Sequence, residues 1–192
     1  MLPALERRHD VLALALPGHP GGPPVEPGAG SSFFADAIEQ AMDEAEFATA
    51  HLVGNSLGGY LALRLATRGR ARTVVALAPA GGSAEDDESY KDTLAMQRSL
   101  VAVAMPGFTA GEPLLDNALR EGWPLEPERI GCPVRVIWGT EDRFLPWPSA
   151  AVRYRRDWLP HADWVELEGL GHFPQIEAPL ETAQLILGFT AP

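Results

Sequence analysis

Gly54-Asn55-Ser56-Leu57-Gly58-Gly59 stands between an apolar stretch, His51-Leu52-Val53, and a Leu/Ala-rich run over residues 57–67. The first reads as a strand running 51–54 and the second as a helix, so the serine falls on the turn that joins them. That turn constrains the fold more than any other feature of the chain. Glycines at 54 and 58 carry no β-carbon, which tolerates strained backbone and a close approach of helix to strand. The hydroxyl of Ser56 is lifted at the carboxyl end of the strand. Beneath it the helix presents N–H groups without intrahelical partners and the positive end of its dipole. The N–H of Leu57 is therefore a candidate donor to a developing oxyanion. The plainer alternative is a glycine turn with an incidental serine; the strand before and the helix after weigh against it.

Similar units recur along the chain. Residues 11–16 (VLALAL) form a continuous apolar run closed by Pro17-Gly18, the pattern of a strand buried on both faces. A loop follows, and Ser31 or Ser32 is a candidate cap for a helix in which Phe34, Ala37, Ile38, Ala41, Met42 and Ala45 share a face. Further strands are expected over 73–78, 134–138 and 164–167, with helices over 150–159 and 180–189. Alternation of this kind predicts an α/β fold, a mostly parallel sheet flanked by helices, in a single domain over 1–192. Residues 83–128 break the alternation with an acidic stretch, a helix over 93–104 and a Gly/Pro-broken segment. They read as a short helical insertion between two strands.

A serine hydroxyl is a weak nucleophile and needs a base. His172 lies in Gly169-Leu170-Gly171-His172-Phe173-Pro174, a glycine loop just past the strand WVEL. His9, His51 and His161 sit in surface turns or at a strand start and fit the role less well, and His19 lies in the long loop. The base in turn needs a carboxylate to hold its tautomer. Asp142 follows the strand VRVIW, with Glu141 beside it as a substitute. Serine, acid and histidine come in that order, each just past its own strand. Taken singly, each has a bland reading as a loop residue; the shared placement favours a common site.

Charge and composition narrow the partners. The formal net charge of −11 repels phosphate backbones and anionic lipid heads, so neither nucleic acid nor a membrane surface is an expected partner. No apolar run approaches the length needed to cross a bilayer. The single cysteine, Cys132, allows no internal disulfide and suits a reducing cytoplasm. The charged residues among the first ten lack the apolar core of a signal peptide. No His/Cys cluster has metal-ligand spacing and PGHPGGPP lacks the lysine of a phosphate loop, so neither metal nor cofactor is expected.

In Leu16-Pro17-Gly18-His19, residues 51–59, residues 139–146 and Gly171-His172-Phe173-Pro174, the chain resembles the α/β-hydrolase superfamily, of the small serine-esterase and C–C-bond-hydrolase type. The resemblance implies Ser56, Asp142 and His172 as a catalytic triad and residues 83–128 as a lid over the pocket. A serine at position 56 sets the chain apart from the related dehalogenase and epoxide hydrolase branches, which use aspartate. Ala15 departs from the aspartate usual before Leu-Pro-Gly-His. Relatives also carry an earlier strand whose His-Gly loop supplies a second oxyanion donor. Here the first matching element is the helix begun by Met1-Leu2-Pro3-Ala4-Leu5, so the fold is expected to be N-terminally truncated and the catalyst poor.

The function expected is hydrolysis of a small or medium ester or related acyl compound through an acyl-enzyme. Two other readings stand beside it: cleavage of a carbon–carbon bond in a diketone, and a weak or inactive hydrolase-like protein that binds a small ligand.

Overall fold

The computed structural model describes residues 1–25, 29–83 and 123–190, with Ala95 and Ser99 besides. They divide into two compact units. One comprises Met1–Leu12, Ala48–Ser83 and Leu125–Pro192; the other comprises Ala13–Phe47 and Ala84–Pro124. The lid expected over 83–128 and its helix over 93–104 fall mostly outside the described residues.

The first unit is built on four parallel strands in the order β1-β2-β3-β4: β1 (Ala50–Asn55), β2 (Ala71–Leu77), β3 (Val134–Gly139) and β4 (Asp163–Leu167). All four were legible as apolar runs. Alternation along β2 sends Val75 and Leu77 to one face and Val74 and Ala76 to the other, and all four are buried. Val75 and Leu77 join Ile137, Leu167, Ala183 and Ile186 in one core, which α1 (Leu2–Leu5) closes through Leu5. Ala183 and Ile186 come from the last helix of the chain, Pro179–Thr190. The opposite face takes α3 (Leu57–Thr67), which packs on β1 and β2. The central strands β2 and β3 are mostly buried on both faces and read as largely apolar, whereas the edge strands β1 and β4 leave Val53, Asp163 and Glu166 exposed.

Two expected elements take other forms. No strand forms over 11–16; the segment has no ladder partner among the described residues, and Leu12 and Leu14 are exposed. Apolar character makes an extended segment a strand only where a neighbour accepts its N–H and C=O groups. The helix expected over 150–159 is instead a 3-10 turn, Ser149–Ala151, and a π-helical turn, Tyr154–Trp158. The N–H of Arg153 is drawn off to the carbonyl of Gly82 at 2.8 Å, and the N–H of Leu159 reaches back five residues to Tyr154 at 2.7 Å. The wider turn carries the buried Tyr154 hydroxyl to the carbonyl of Ala80 at 2.6 Å.

In the second unit α2 (Ser31–Glu44) buries Phe34, Ala35 and Met42. Its N-cap is Gly30, and neither serine caps it with a side chain; Ser31 is already the first helical residue. Its end is a Schellman motif, with Phe47 N–H bonded to Met42 O and Glu46 N–H to Asp43 O. The two short helices that close the first unit are α4 (Pro174–Glu177) and α5 (Pro179–Thr190).

Candidate active site

Parallel strands put their carboxyl ends on one edge, so the loops after β1, β3 and β4 share that edge. Ser56 follows β1, Asp142 follows β3 and His172 follows β4.

Ser56 is the N-cap of α3 at φ 55°, ψ −117°, a left-handed conformation uncommon in a residue with a side chain. The surrounding bonds hold it there. Its N–H donates to Leu77 O at 2.9 Å, and its carbonyl accepts from the N–H groups of Tyr60 and Ala80, both at 3.1 Å. Behind Ala80 stands Tyr154, whose phenol is kept protonated because burial raises its pKa well above the ordinary value. Of the two glycines read as making room, only Gly54 is forced: a β-carbon there would lie 2.1 Å from Gly58 O. At Gly58 a β-carbon meets nothing, so the crowding assigned to it in the sequence belongs to Gly59, whose β-carbon would sit 3.0 Å from Gly54 O. Leu57 is the first residue of α3. Its N–H is among those the helix leaves without an internal acceptor.

Asp142 and His172 meet out of water. The Nδ1–H of His172 donates to Asp142 Oδ2 at 2.7 Å, with side-chain exposures of 4% and 0%. The other carboxylate oxygen accepts the N–H groups of Phe144 and Leu145, each at 2.8 Å. With its loop fixed this way, Asp142 engages Nδ1 and leaves Nε2 as the other ring nitrogen of His172. Glu141, the alternative acid, is exposed and has no bond to His172. Phe144 stacks on the imidazole at 5.2 Å and 22°, and Phe173 meets it edge-on at 4.9 Å and 76°. Among the described residues no three His, Cys, Asp or Glu side chains converge as metal ligands do, and no helix is long and apolar enough to cross a membrane.

A family model described as the alpha/beta hydrolase family matches residues 1–185. The chain belongs to the alpha/beta hydrolase family. It is 31% identical over 202 residues to the epoxide hydrolase EphH of Mycobacterium tuberculosis, covering 83% of this chain and 94% of that protein. It is 29% identical over 185 residues to a 2-hydroxymuconate semialdehyde hydrolase of Pseudomonas sp. strain CF600, covering 78% of this chain and 65% of that one. In structure it resembles a hydrolase from Pseudomonas aeruginosa with a TM-score of 0.71 at 20% identity, over 100% of this chain and 83% of that chain.

This alpha/beta hydrolase also joins the Ser56 and His172 loops through residues the sequence does not single out. Asn55, inside the glycine motif, donates through Nδ2 to His172 O at 2.9 Å and to Leu77 O at 3.1 Å. Its Oδ1 accepts from Gln175 Nε2 at 3.1 Å. Leu77 O is thus shared by the Ser56 N–H and the Asn55 amide, which ties the serine turn to the histidine loop. Spacing along the chain carries no trace of such a link, because Asn55 and His172 are 117 positions apart.

Proposed function

We propose that this chain is a serine hydrolase of small or medium esters or related acyl compounds. Ser56 attacks the carbonyl carbon while His172 Nε2 takes the hydroxyl proton. Asp142 holds the imidazole and balances the imidazolium. The N–H of Leu57 donates to the oxygen that becomes negative. Collapse of the tetrahedral intermediate passes the proton from His172 to the leaving alkoxide and leaves an acyl-enzyme. Water then attacks that ester, with His172 again as base.

The observation that carries this reading is the buried Asp142–His172 pair, whose carboxylate spends its second oxygen on two backbone N–H groups. Such an arrangement fixes a base and tautomer, which a surface loop histidine does not require. The experiment is turnover of p-nitrophenyl butyrate together with labelling by a fluorophosphonate probe. Activity and labelling that vanish in Ser56→Ala support the reading; a folded wild type that is silent in both assays favours a ligand-binding protein.

A second reading is hydrolysis of a carbon–carbon bond in a diketone, favoured by the likeness to the 2-hydroxymuconate semialdehyde hydrolase. Faster turnover of a ring-opened dienol–keto acid than of any ester would select it. The likeness to an epoxide hydrolase leads elsewhere chemically. A hydroxyl that opens an epoxide forms an ether, which water does not cleave, whereas a carboxylate forms an ester, which it does. Ser56-dependent turnover of styrene oxide would overturn the assignment of acyl transfer.

A further inference from the structure

The loop carrying His172 is gripped from outside the triad. Glu177, the last residue of α4, turns its carboxylate back over the loop. Its Oε2 accepts the N–H of Gly171 at 2.8 Å, and its Oε1 accepts the N–H of Phe173 at 3.1 Å. These are the two residues that flank His172. The N–H of Glu177 donates in turn to Phe173 O at 3.0 Å, closing the turn. One carboxylate therefore fixes the Leu170–Gly171 peptide on one side of His172 and the His172–Phe173 peptide, which abuts the imidazole's own Cα, on the other. Asn55 holds the carbonyl of His172 itself.

From this geometry we infer that Glu177 is a positioning residue for His172, setting the direction in which the imidazole leaves the backbone. The inference rests on the reading of His172 as the base. Asp142 fixes the Nδ1 end of the ring and Phe144 and Phe173 pack on its face and edge, but where the ring starts from is set by the backbone of its loop. A base must stand within hydrogen-bond reach of the proton it removes. Displacements near one ångström cost about a hundredfold in rate. Two hydrogen bonds to one side chain bracket a single residue, so neither flanking N–H can turn without breaking one.

Gly171 provides an independent handle. A β-carbon at that position would lie 3.0 Å from Glu177 Oε1 and 3.2 Å from Oε2. An alanine there pushes against the tip of a flexible side chain and not against backbone, so it displaces the carboxylate while leaving the chain foldable. Gly171→Ala and Glu177→Ala should therefore share one defect.

The test compares wild type, Glu177→Ala, Glu177→Gln, Gly171→Ala and the Glu177→Ala/Gly171→Ala double variant. Steady-state hydrolysis of p-nitrophenyl butyrate and the rate of fluorophosphonate labelling are measured on each, with melting temperatures. A proton NMR spectrum follows the far-downfield Nδ1–H of His172. Glu177→Ala should lower kcat about tenfold to a hundredfold with KM changed less than about twofold. Labelling should slow in parallel, and the Nδ1–H signal should shift or broaden. Glu177→Gln, which keeps one acceptor oxygen, should recover part of the rate. The double variant should fall no further than the worse single one.

Arg135→Gln breaks a pair with Asp163 and a bond to Leu185 O on the far side of α5, and serves as the stability control. It should lower the melting temperature without lowering kcat. Three results would overturn the inference: full labelling rate in Glu177→Ala, a loss confined to KM, or an equal loss of kcat in Arg135→Gln at matched melting temperature. A wild type that does not label at all would instead refute the serine hydrolase reading.

Discussion

Asp142 Oδ2 and His172 Nδ1 lie 2.7 Å apart with both side chains excluded from water, while the neighbouring Glu141 faces solvent. Of the two adjacent carboxylates that the sequence leaves open, Asp142 is the one that meets His172. Asp142→Asn replaces an acceptor with an amide whose N–H cannot serve Nδ1–H, and so promotes the wrong tautomer. Turnover of p-nitrophenyl butyrate should fall by about 10²–10⁴. Glu141→Gln should stay within about twofold of wild type. The reverse ranking would move the acid to Glu141.

Ser56, Asp142 and His172 are expected to act as one unit. Ser56→Ala should bring hydrolysis to background with the fold intact by circular dichroism. Adding His172→Ala to it should cost little more, because the base has nothing left to activate. Losses that multiply in the double variant would argue for separate roles.

The sheet and the loops that carry the three candidate residues are legible for one physical reason. Central strands buried on both faces leave largely apolar runs, edge strands keep a shorter apolar stretch, and a parallel sheet places every strand-end loop on one edge. Ser56, Asp142 and His172 announced themselves by residue type at such ends. Residues 11–16 had the same apolar run and yet form no strand, because pairing depends on a neighbour that local composition does not encode. Asn55, Glu177 and Tyr154 were missed because they act through backbone groups distant in sequence or across a turn. The irregular stretch after Ser149 reads as a plain helix in the sequence for the same reason: its geometry answers to Gly82 and Ala80, 71 and 74 positions away from Arg153 and Tyr154.

A pH dependence of stability follows from the other end of the sheet. His51 at the start of β1 bonds Thr73 Oγ1 at 2.9 Å and faces His9, 5.6 Å away, whose Nε2 meets Thr190 Oγ1 at 3.0 Å. Burial first, then the charges of His9 and Arg72, lower the pKa of His51 below the ordinary 6.5. The unfolded chain therefore takes the proton first as pH falls. Stability should drop through the window just below pH 6.5 and be unaffected above it. His51→Gln should flatten the change in urea midpoint between about pH 7.5 and 5.5. His19 is lowered in the same sense by burial and cancels in the comparison. An unchanged slope in the variant would refute the assignment.

The end of α2 carries removable strain. Glu46 occupies the C′ position of its Schellman motif at φ 60°, whereas the equivalent end of α3 has Gly69 at φ 78°. Glycine adopts that conformation without the β-carbon penalty. Glu46→Gly should leave stability unchanged or raise it by up to about 1 kcal/mol, although glycine loosens the unfolded chain. A loss above about 1 kcal/mol in urea denaturation would show that the Glu46 side chain contributes more than its strain costs.

The two glycines that frame Ser56 should respond oppositely to alanine. At position 54 the added carbon would fall 2.1 Å from Gly58 O and 2.6 Å from Gly59 N, atoms of the helix backbone that cannot swing aside. The variant must push α3 off β1, opening the core beneath Leu61 and Leu65, both buried. Losses from such overpacking run to about 1–3 kcal/mol and more where backbone must move. The same displacement drags the Leu57 N–H away from the oxyanion position, so Gly54→Ala should lose esterase activity even at temperatures where it remains folded. At position 58 the added carbon meets nothing within 4 Å. There alanine gains up to about 1 kcal/mol of helix propensity, and Gly58→Ala should match or exceed wild type in melting temperature while keeping the labelling rate of Ser56. If Gly58→Ala proves the more damaging of the two, the approach of helix to strand is not what the Ser56 turn requires, and the second glycine of the motif serves a substrate instead.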